Sequence, residues 1–119
     1  MILADTMVWA DFISRGDDRL QALLDDADTC LHPYVRGELS LGNLPMRAPL
    51  LADLDLMPRA VVASHAEVID FIESAALFGT GVGYVDVHLL ASTLLTDEGK
   101  LWTRDKRLAA VAERLGVLA

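Results

Sequence analysis

Apolar positions in this chain fall into short runs and helical stripes that alternate from one end to the other. Ile2-Leu3-Ala4 is a brief apolar run stopped by Asp5-Thr6, the pattern of a buried strand ending in a polar turn. Val8 to Ile13 predicts a short helix packing through Trp9, Phe12 and Ile13, broken by the segment Ser14 to Asp18. A second helix starts near Asp17 or Asp18, whose carboxylate caps free backbone N–H groups, and Leu20, Leu23, Leu24 and Ala27 form its stripe. Thr29 to Leu31 predicts a second strand. Pro33 suits the first turn of a helix, where its missing N–H costs nothing. That helix carries Val35, Glu38, Leu39 and Leu41 and stops at Gly42-Asn43. Met46 to Leu56 predicts a helix with Leu50, Leu51 and Leu54 buried, while 57–63 reads equally as a loop or a short extended piece. Ser64-His65-Ala66-Glu67 has capping-box spacing and opens a helix reaching Ala75. Gly79, Gly81 and Gly83 alternate in a loop able to pass close to backbone or ligand. Tyr84 to Leu95 predicts a central, largely buried helix. Lys100 to Thr103 predicts a strand, Asp105 to Leu115 a helix, and Gly116 to Ala119 a final edge strand.

Short strands separated by helices predict an α/β fold around a parallel sheet, with residues 1–119 as one domain. The apolar share of 53% supplies a core. No apolar run approaches the roughly 18 residues of a membrane span, and the start lacks the basic segment of a secretory signal. The one cysteine, Cys30, rules out an internal disulfide and reads as a small core residue. Together these predict a cytoplasmic protein. The net charge of −8 argues against a broad basic surface for nucleic acid. The charge is uneven, however. Acids cluster at 17–18 and 25–28, and Lys100, Arg104, Lys106, Arg107 and Arg114 gather towards the C-terminus.

Four acids carry the candidate chemistry. Asp5 closes the first predicted strand, Glu38 lies on the helix after Pro33, Asp86 opens the apolar helix, and Asp105 follows the last strand run. Open parallel sheets form their ligand crevice at strand ends. Carboxylates gathered there repel one another unless a cation lies between them, and hard oxygen donors suit Mg²⁺ or Mn²⁺. Metal-assisted phosphodiester hydrolysis is the leading expectation. Each acid also has a plain reading: Asp5 as a turn former, Glu38 as an exposed helical residue, and Asp86 and Asp105 as helix caps. Thr6 caps the following helix or meets a substrate. His88 has no second His or Cys at useful spacing, so zinc is not indicated, and it reads as a hydrogen-bonding packing residue. Arg104, Lys106 and Arg107 form a solvated face or grip phosphates beside the acids. A phosphate-monoester hydrolase and a catalytically silent binding partner are the rival readings.

The four segments together resemble the PIN-domain ribonucleases of the VapC toxin family, found in type II toxin–antitoxin pairs. The resemblance spans nearly the whole chain. It rests on Ile2-Leu-Ala-Asp-Thr-Met-Val-Trp9, His32-Pro-Tyr-Val-Arg-Gly-Glu-Leu-Ser-Leu-Gly42, Gly81-Val-Gly-Tyr-Val-Asp-Val-His-Leu-Leu-Ala-Ser92 and Leu101-Trp-Thr-Arg-Asp-Lys-Arg-Leu108. It implies a PIN-like three-layer α/β/α fold with a short-stranded, mainly parallel central sheet. It implies a Mg²⁺-dependent endoribonuclease, with Mn²⁺ as a substitute, acting on structured RNA. Asp5 and Asp86 resemble the principal metal ligands. Glu38 and Asp105 complete the site directly or through water. Thr6, Thr103 and Arg104 are implied neighbours of substrate or ligands. The partners implied are a VapB-like antitoxin, whose tail lies across the site and whose acidic groups meet Arg36 and Arg104, and a second copy of the chain. Met7 departs from the small residue, often Ser, that relatives carry after Asp-Thr.

Overall fold

In the computed structural model, which describes residues 1–119, a three-stranded parallel sheet is surrounded by seven helices. The strands are β1 (Ile2–Ala4), β2 (Thr29–Cys30) and β3 (Lys100–Trp102), in the order β2-β1-β3. The helices are α1 (Thr6–Arg15), α2 (Asp18–Asp25), α3 (Pro33–Ser40), α4 (Arg47–Asp55), α5 (His65–Ser74), α6 (Tyr84–Leu94) and α7 (Lys106–Arg114). This is the expected PIN-like α/β architecture. β1 is central because it is the one strand with neighbours on both sides: Ile2 is level with Thr29 and with Lys100, and Leu3 with Cys30 and Leu101. Its C-terminal end therefore points Asp5 between the chain segments that follow β2 and β3.

Two segments refine the expectation. The stretch 57–63, open between loop and extended, is extended where it meets the sheet: Leu31 N–H donates to Pro58 O at 2.8 Å, and Ala60 N–H to Leu31 O at 3.0 Å. Gly116–Ala119 forms no strand. It makes a single parallel bridge, Leu101 with Leu118, held by Leu101 N–H to Val117 O and Ala119 N–H to Leu101 O. A further correction concerns α4, where Leu54 alone is buried and Leu50 and Leu51 are half-buried. That helix begins after Met46, which sits at φ +47 with no side-chain cap, and it packs at the margin of the core.

The core runs under the sheet and through α6, whose residues Val87 to Thr93 are all buried. Such an all-round buried helix is costly in water and stable only between layers. Trp9, Leu20, Val35, Val68, Leu101 and Leu108 meet this core from α1, α2, α3, α5, β3 and α7. Cys30 is a buried free thiol in the same cluster. The caps are largely those expected. Asp17 accepts from Leu20 N–H at 2.9 Å. The Ser64–Glu67 capping box is closed in both directions, at 3.1 and 2.8 Å.

His32 is a cap that the hydrophobic pattern did not reveal. It is fully buried, and its Nδ1 accepts the Tyr34 N–H at 3.0 Å at the start of α3. That bond requires an unprotonated Nδ1. Burial, together with nearby His88, lowers its pKa to about 4. Because the unfolded chain takes up this proton near pH 6.5 and the fold resists it, stability is complete above that value and is lost as the pH falls towards 4. The full effect is about 3 kcal/mol. We expect the Tm to drop by roughly 10 °C across this window. His32→Asn, which keeps an acceptor at the cap, should start from a lower Tm but lose most of the slope, as followed by circular dichroism melts between pH 7 and 4.

Candidate active site

Each of the four acids is placed by a local backbone rule. Asp5 is the N-cap of α1 and Asp105 the N-cap of α7; both sit where a strand gives way to a helix. Asp86 is in the first turn of α6, and its Oδ2 accepts the Gly83 N–H at 3.0 Å. Glu38 projects from the last half of α3, which packs against α1. Asp5 and Asp86 are half-buried, whereas Glu38 and Asp105 are exposed.

Hydroxyl groups tie three of the acids into one chain. Thr103 Oγ1 donates to Asp5 Oδ2 at 2.8 Å and accepts the Asp105 N–H at 3.1 Å. Thr6 Oγ1 donates to Glu38 Oε1 at 2.7 Å, and the Thr6 N–H donates to Asp5 Oδ1 at 2.7 Å. Thr6 thus links two acids through one residue. Asp105 Oδ1 is taken up by the N–H groups of Arg107 and Leu108, at 2.9 and 3.1 Å.

Asp86 joins this group through its field. Burial raises its carboxyl pKa above the usual 3.8, the Gly83 N–H pulls the other way, and Asp5, Asp105 and Glu38 each raise it further. Asp86 thus has Asp5, Asp105 and Glu38 as like-charged neighbours. No three carboxylate, imidazole or thiol groups close on a point as a ready-made cage. That is compatible with Mg²⁺, which keeps several waters and is commonly held by one or two carboxylates. The donors are all oxygen, and the hydroxyls leave carboxylate lone pairs free.

A groove of about 220 Å³ opens beside this centre, lined in part by Thr6, Glu38, Ile13, Asn43 and Pro45. A second hollow of about 370 Å³, with Phe12, Met46, Pro49 and Leu50 in its walls, shares Ile13 and Pro45 with it.

No family model matches the chain. Curated relatives do. The chain is 41% identical over 117 residues to Ribonuclease VapC32 of Mycobacterium tuberculosis, from strain CDC 1551 / Oshkosh and from strain ATCC 25618 / H37Rv. The match covers 98% of this chain and 94% of the relative in each case. The chain belongs to the VapC ribonuclease family.

Among the residues of this VapC chain singled out from sequence, two arginines have partners that the sequence did not reveal. Arg104 is not free beside the acids. Its Nε lies 3.2 Å from Asp11 Oδ2 and its Nη2 3.3 Å from Asp17 Oδ2, which fastens the β3–α7 turn to α1 and to the α2 cap. Arg36 is bound in a two-pronged pair with Asp55, at 2.8 and 3.1 Å, which joins α3 to α4. Both guanidiniums have carboxylate partners in the free chain, in partly exposed pairs.

His88 is buried as expected, but neither ring nitrogen has a hydrogen-bond partner. It packs instead in an aromatic cluster, with ring centroids 4.7 Å from Tyr34, 4.8 Å from Tyr84 and 6.1 Å from His32. Van der Waals packing replaced the hydrogen bond because α6 is enclosed on every side there. At the surface end of this cluster, Tyr84 Oη and His65 Nδ1 share a hydrogen bond of 2.6 Å. Met7 is exposed.

Asp86 yields a stability test. A carboxyl whose pKa is raised in the fold opposes folding when ionised, and the opposition disappears as the pH falls through that raised value. Asn keeps an oxygen for the Gly83 N–H and drops the charge. In protein dialysed against EDTA, Asp86→Asn should melt above the parent at pH 7, and the difference should close below about pH 3.8. Differential scanning calorimetry over that range measures it.

Proposed function

We propose that this chain is a Mg²⁺-dependent endoribonuclease toxin, with Mn²⁺ as a substitute metal. The observation that carries the reading is the shared field at Asp86, where Asp5, Glu38 and Asp105 are all felt. Structural stability alone gives no reason to gather four acids; an ion and an anionic substrate do. The membership in the VapC family and the ribonuclease name of its Mycobacterium relatives support the same conclusion.

In this reading Asp5 and Asp86 hold the metal, with Glu38 and Asp105 completing its surroundings directly or through water. When bound, the ion supplies Lewis-acid chemistry, making water a better nucleophile and offsetting charge at the reacting phosphate. The protein's own groups do the positioning. Thr103 fixes one Asp5 oxygen and the Thr6 N–H the other, so that the carboxylate cannot rotate. Thr6 Oγ1 holds Glu38 towards α1. Attack by water on the phosphodiester leaves a 5′-phosphate and a 3′-hydroxyl. Structured RNA with accessible unpaired bases suits an acidic protein that lacks a broad basic surface.

A VapB-like antitoxin is the proposed inhibitor. The joined hollows from Phe12 and Met46 to Thr6 and Glu38 offer an apolar track that ends at the acids, which suits an amphipathic segment. A homodimer is also proposed. Val61, Val62, Ile69, Leu94 and Leu95 are large apolar side chains left exposed around α5 and α6. No helix is long and apolar enough to cross a membrane, and a cytoplasmic setting is proposed with the toxin role.

The nuclease reading is tested by cleavage of a structured RNA with Mg²⁺, with Mn²⁺ and with EDTA. Asp5→Asn and Asp86→Asn should each lower the rate by about 10²–10³-fold or more. Asn caps a helix as well as Asp does, so the Asp5 variant should keep its circular dichroism spectrum. Glu38→Gln and Asp105→Asn should cost less. Thr103→Val, which frees Asp5 Oδ2, should weaken metal affinity by about 10–100-fold, with Thr103→Ser restoring it. Full activity in the folded Asp5 and Asp86 variants, or undiminished cleavage in EDTA, would sink the mechanism.

The oligomer is measured separately. Multi-angle light scattering of the isolated chain should give a dimer mass, and Leu94→Glu with Leu95→Glu should shift it to the monomer. A monomer at every concentration in the parent would contradict this part.

A further inference from the structure

The glycine-rich loop before α6 is shaped around one cation. Gly81 has φ +88, and a Cβ built on it would lie 2.6 Å from Arg107 Cδ and 3.1 Å from Nε and Nη1. The backbone conformation at Gly81 favours glycine, and a side chain there would displace Arg107 from its present seat. Arg107 leans against the loop with no carboxylate within ion-pair distance, in contrast to Arg15, Arg36 and Arg104. No backbone or side-chain acceptor takes its guanidinium.

The residue that carries this free guanidinium lies between the two segments of the acidic centre. Its backbone N–H donates to Asp105 Oδ1 at 2.9 Å, and its side chain lies against Gly81. Two residues past Gly81, the Gly83 N–H donates to Asp86 Oδ2 at 3.0 Å. Arg107 therefore spans the segment that carries Asp105 and the segment that carries Asp86. On its outer side lies a hollow of about 270 Å³, shared with Thr80, Ala110, Val111 and Arg114. Arg114 gives one N–H to Ala75 O at 2.8 Å and keeps its charge.

We propose that Arg107, seated on Gly81, binds a phosphate of the RNA strand next to the one that is cleaved, and that the strand leaves the acidic centre over this hollow. The proposal rests on the ribonuclease reading above. An anionic strand approaching four carboxylates needs a counter-charge that the carboxylates do not neutralise. Arg104 is paired with Asp11 and Asp17, whereas Arg107 has no carboxylate partner. The planar guanidinium suits two phosphate oxygens at once, and a phosphate contact is indifferent to base sequence.

The test is steady-state cleavage of a fluorescein-labelled stem-loop RNA in Mg²⁺ across a series of KCl concentrations. Arg107→Ala should raise KM about tenfold with kcat within about twofold of the parent. It should also make log(kcat/KM) against log[KCl] shallower by about 0.7–0.9, the mark of one lost phosphate contact. Arg107→Lys should keep the slope and part of the affinity. Gly81→Ala should reproduce the shallower slope with Arg107 present, and adding Arg107→Ala to it should change the slope no further. A purely structural role for Arg107 would not move the salt slope. Parent-like KM and slope in Arg107→Ala, or a loss confined to kcat, would overturn this proposal and leave the nuclease reading standing. A parent protein that cleaves no RNA would overturn both.

Discussion

Repulsion among Asp5, Glu38, Asp86 and Asp105 is the constraint on which the architecture of this end of the molecule depends. Four carboxylates near one another oppose folding unless each is held by donors, and the chain provides those donors. The hydroxyls of Thr6 and Thr103 reach Glu38 and Asp5 from distant points in the sequence, and helix starts supply N–H groups to Asp5, Asp86 and Asp105. The hydroxyl bonds also cross between elements, so that β1, α3 and the β3–α7 turn are fastened at the same place where they repel. The fold stores unfavourable electrostatics at its edge and meets the cost from the core beneath, where α6 is enclosed along most of its length. At half-buried Asp86, burial and the charges of the other three raise the carboxyl pKa.

Much of this was legible in the chain because it is governed by local rules. Asp17, Pro33, Ser64 with Glu67, and Asp105 announced helix starts, and short apolar runs announced β1 and β3. Asp5, Asp86 and Asp105 stood out for the same reason, since each stands at a helix start, whereas Glu38 lies within α3 and has no such marker. What escaped was set by partners distant in sequence. Arg36 looked free until α4 brought Asp55 beside it, and Arg104 looked free until Asp11 and Asp17 enclosed it. The cap role of His32 was hidden because its ring accepts a neighbouring N–H only in a buried, unprotonated state. The last four residues looked like a strand, but β3 offers them a single outward-facing residue to pair with.

The same pairings explain how an acidic chain keeps its charge organised. Carboxylates outside the centre consume arginines: Asp55 takes Arg36, Asp11 takes Arg15 and Arg104, and Asp17 shares Arg104. These are partly exposed pairs, each a small term in stability. Their larger effect is on the surface potential. Arg15, Arg36 and Arg104 are engaged by carboxylates in this way, whereas the guanidinium of Arg107 has no such partner.

The sheet has a consequence for how this molecule meets other chains. On β3, both backbone groups of Leu101 are taken by the residues on either side of Leu118, and beyond β2 both groups of Leu31 are taken by the residues flanking Arg59. Each border of the sheet is closed by a stitch of one residue from the same chain. A sheet so short, sealed at both borders, offers no template on which a foreign strand can extend it. Association with another polypeptide is thus directed to helix faces and to the hollows between them. There, side-chain shape decides the fit, and backbone pairing has no part in it.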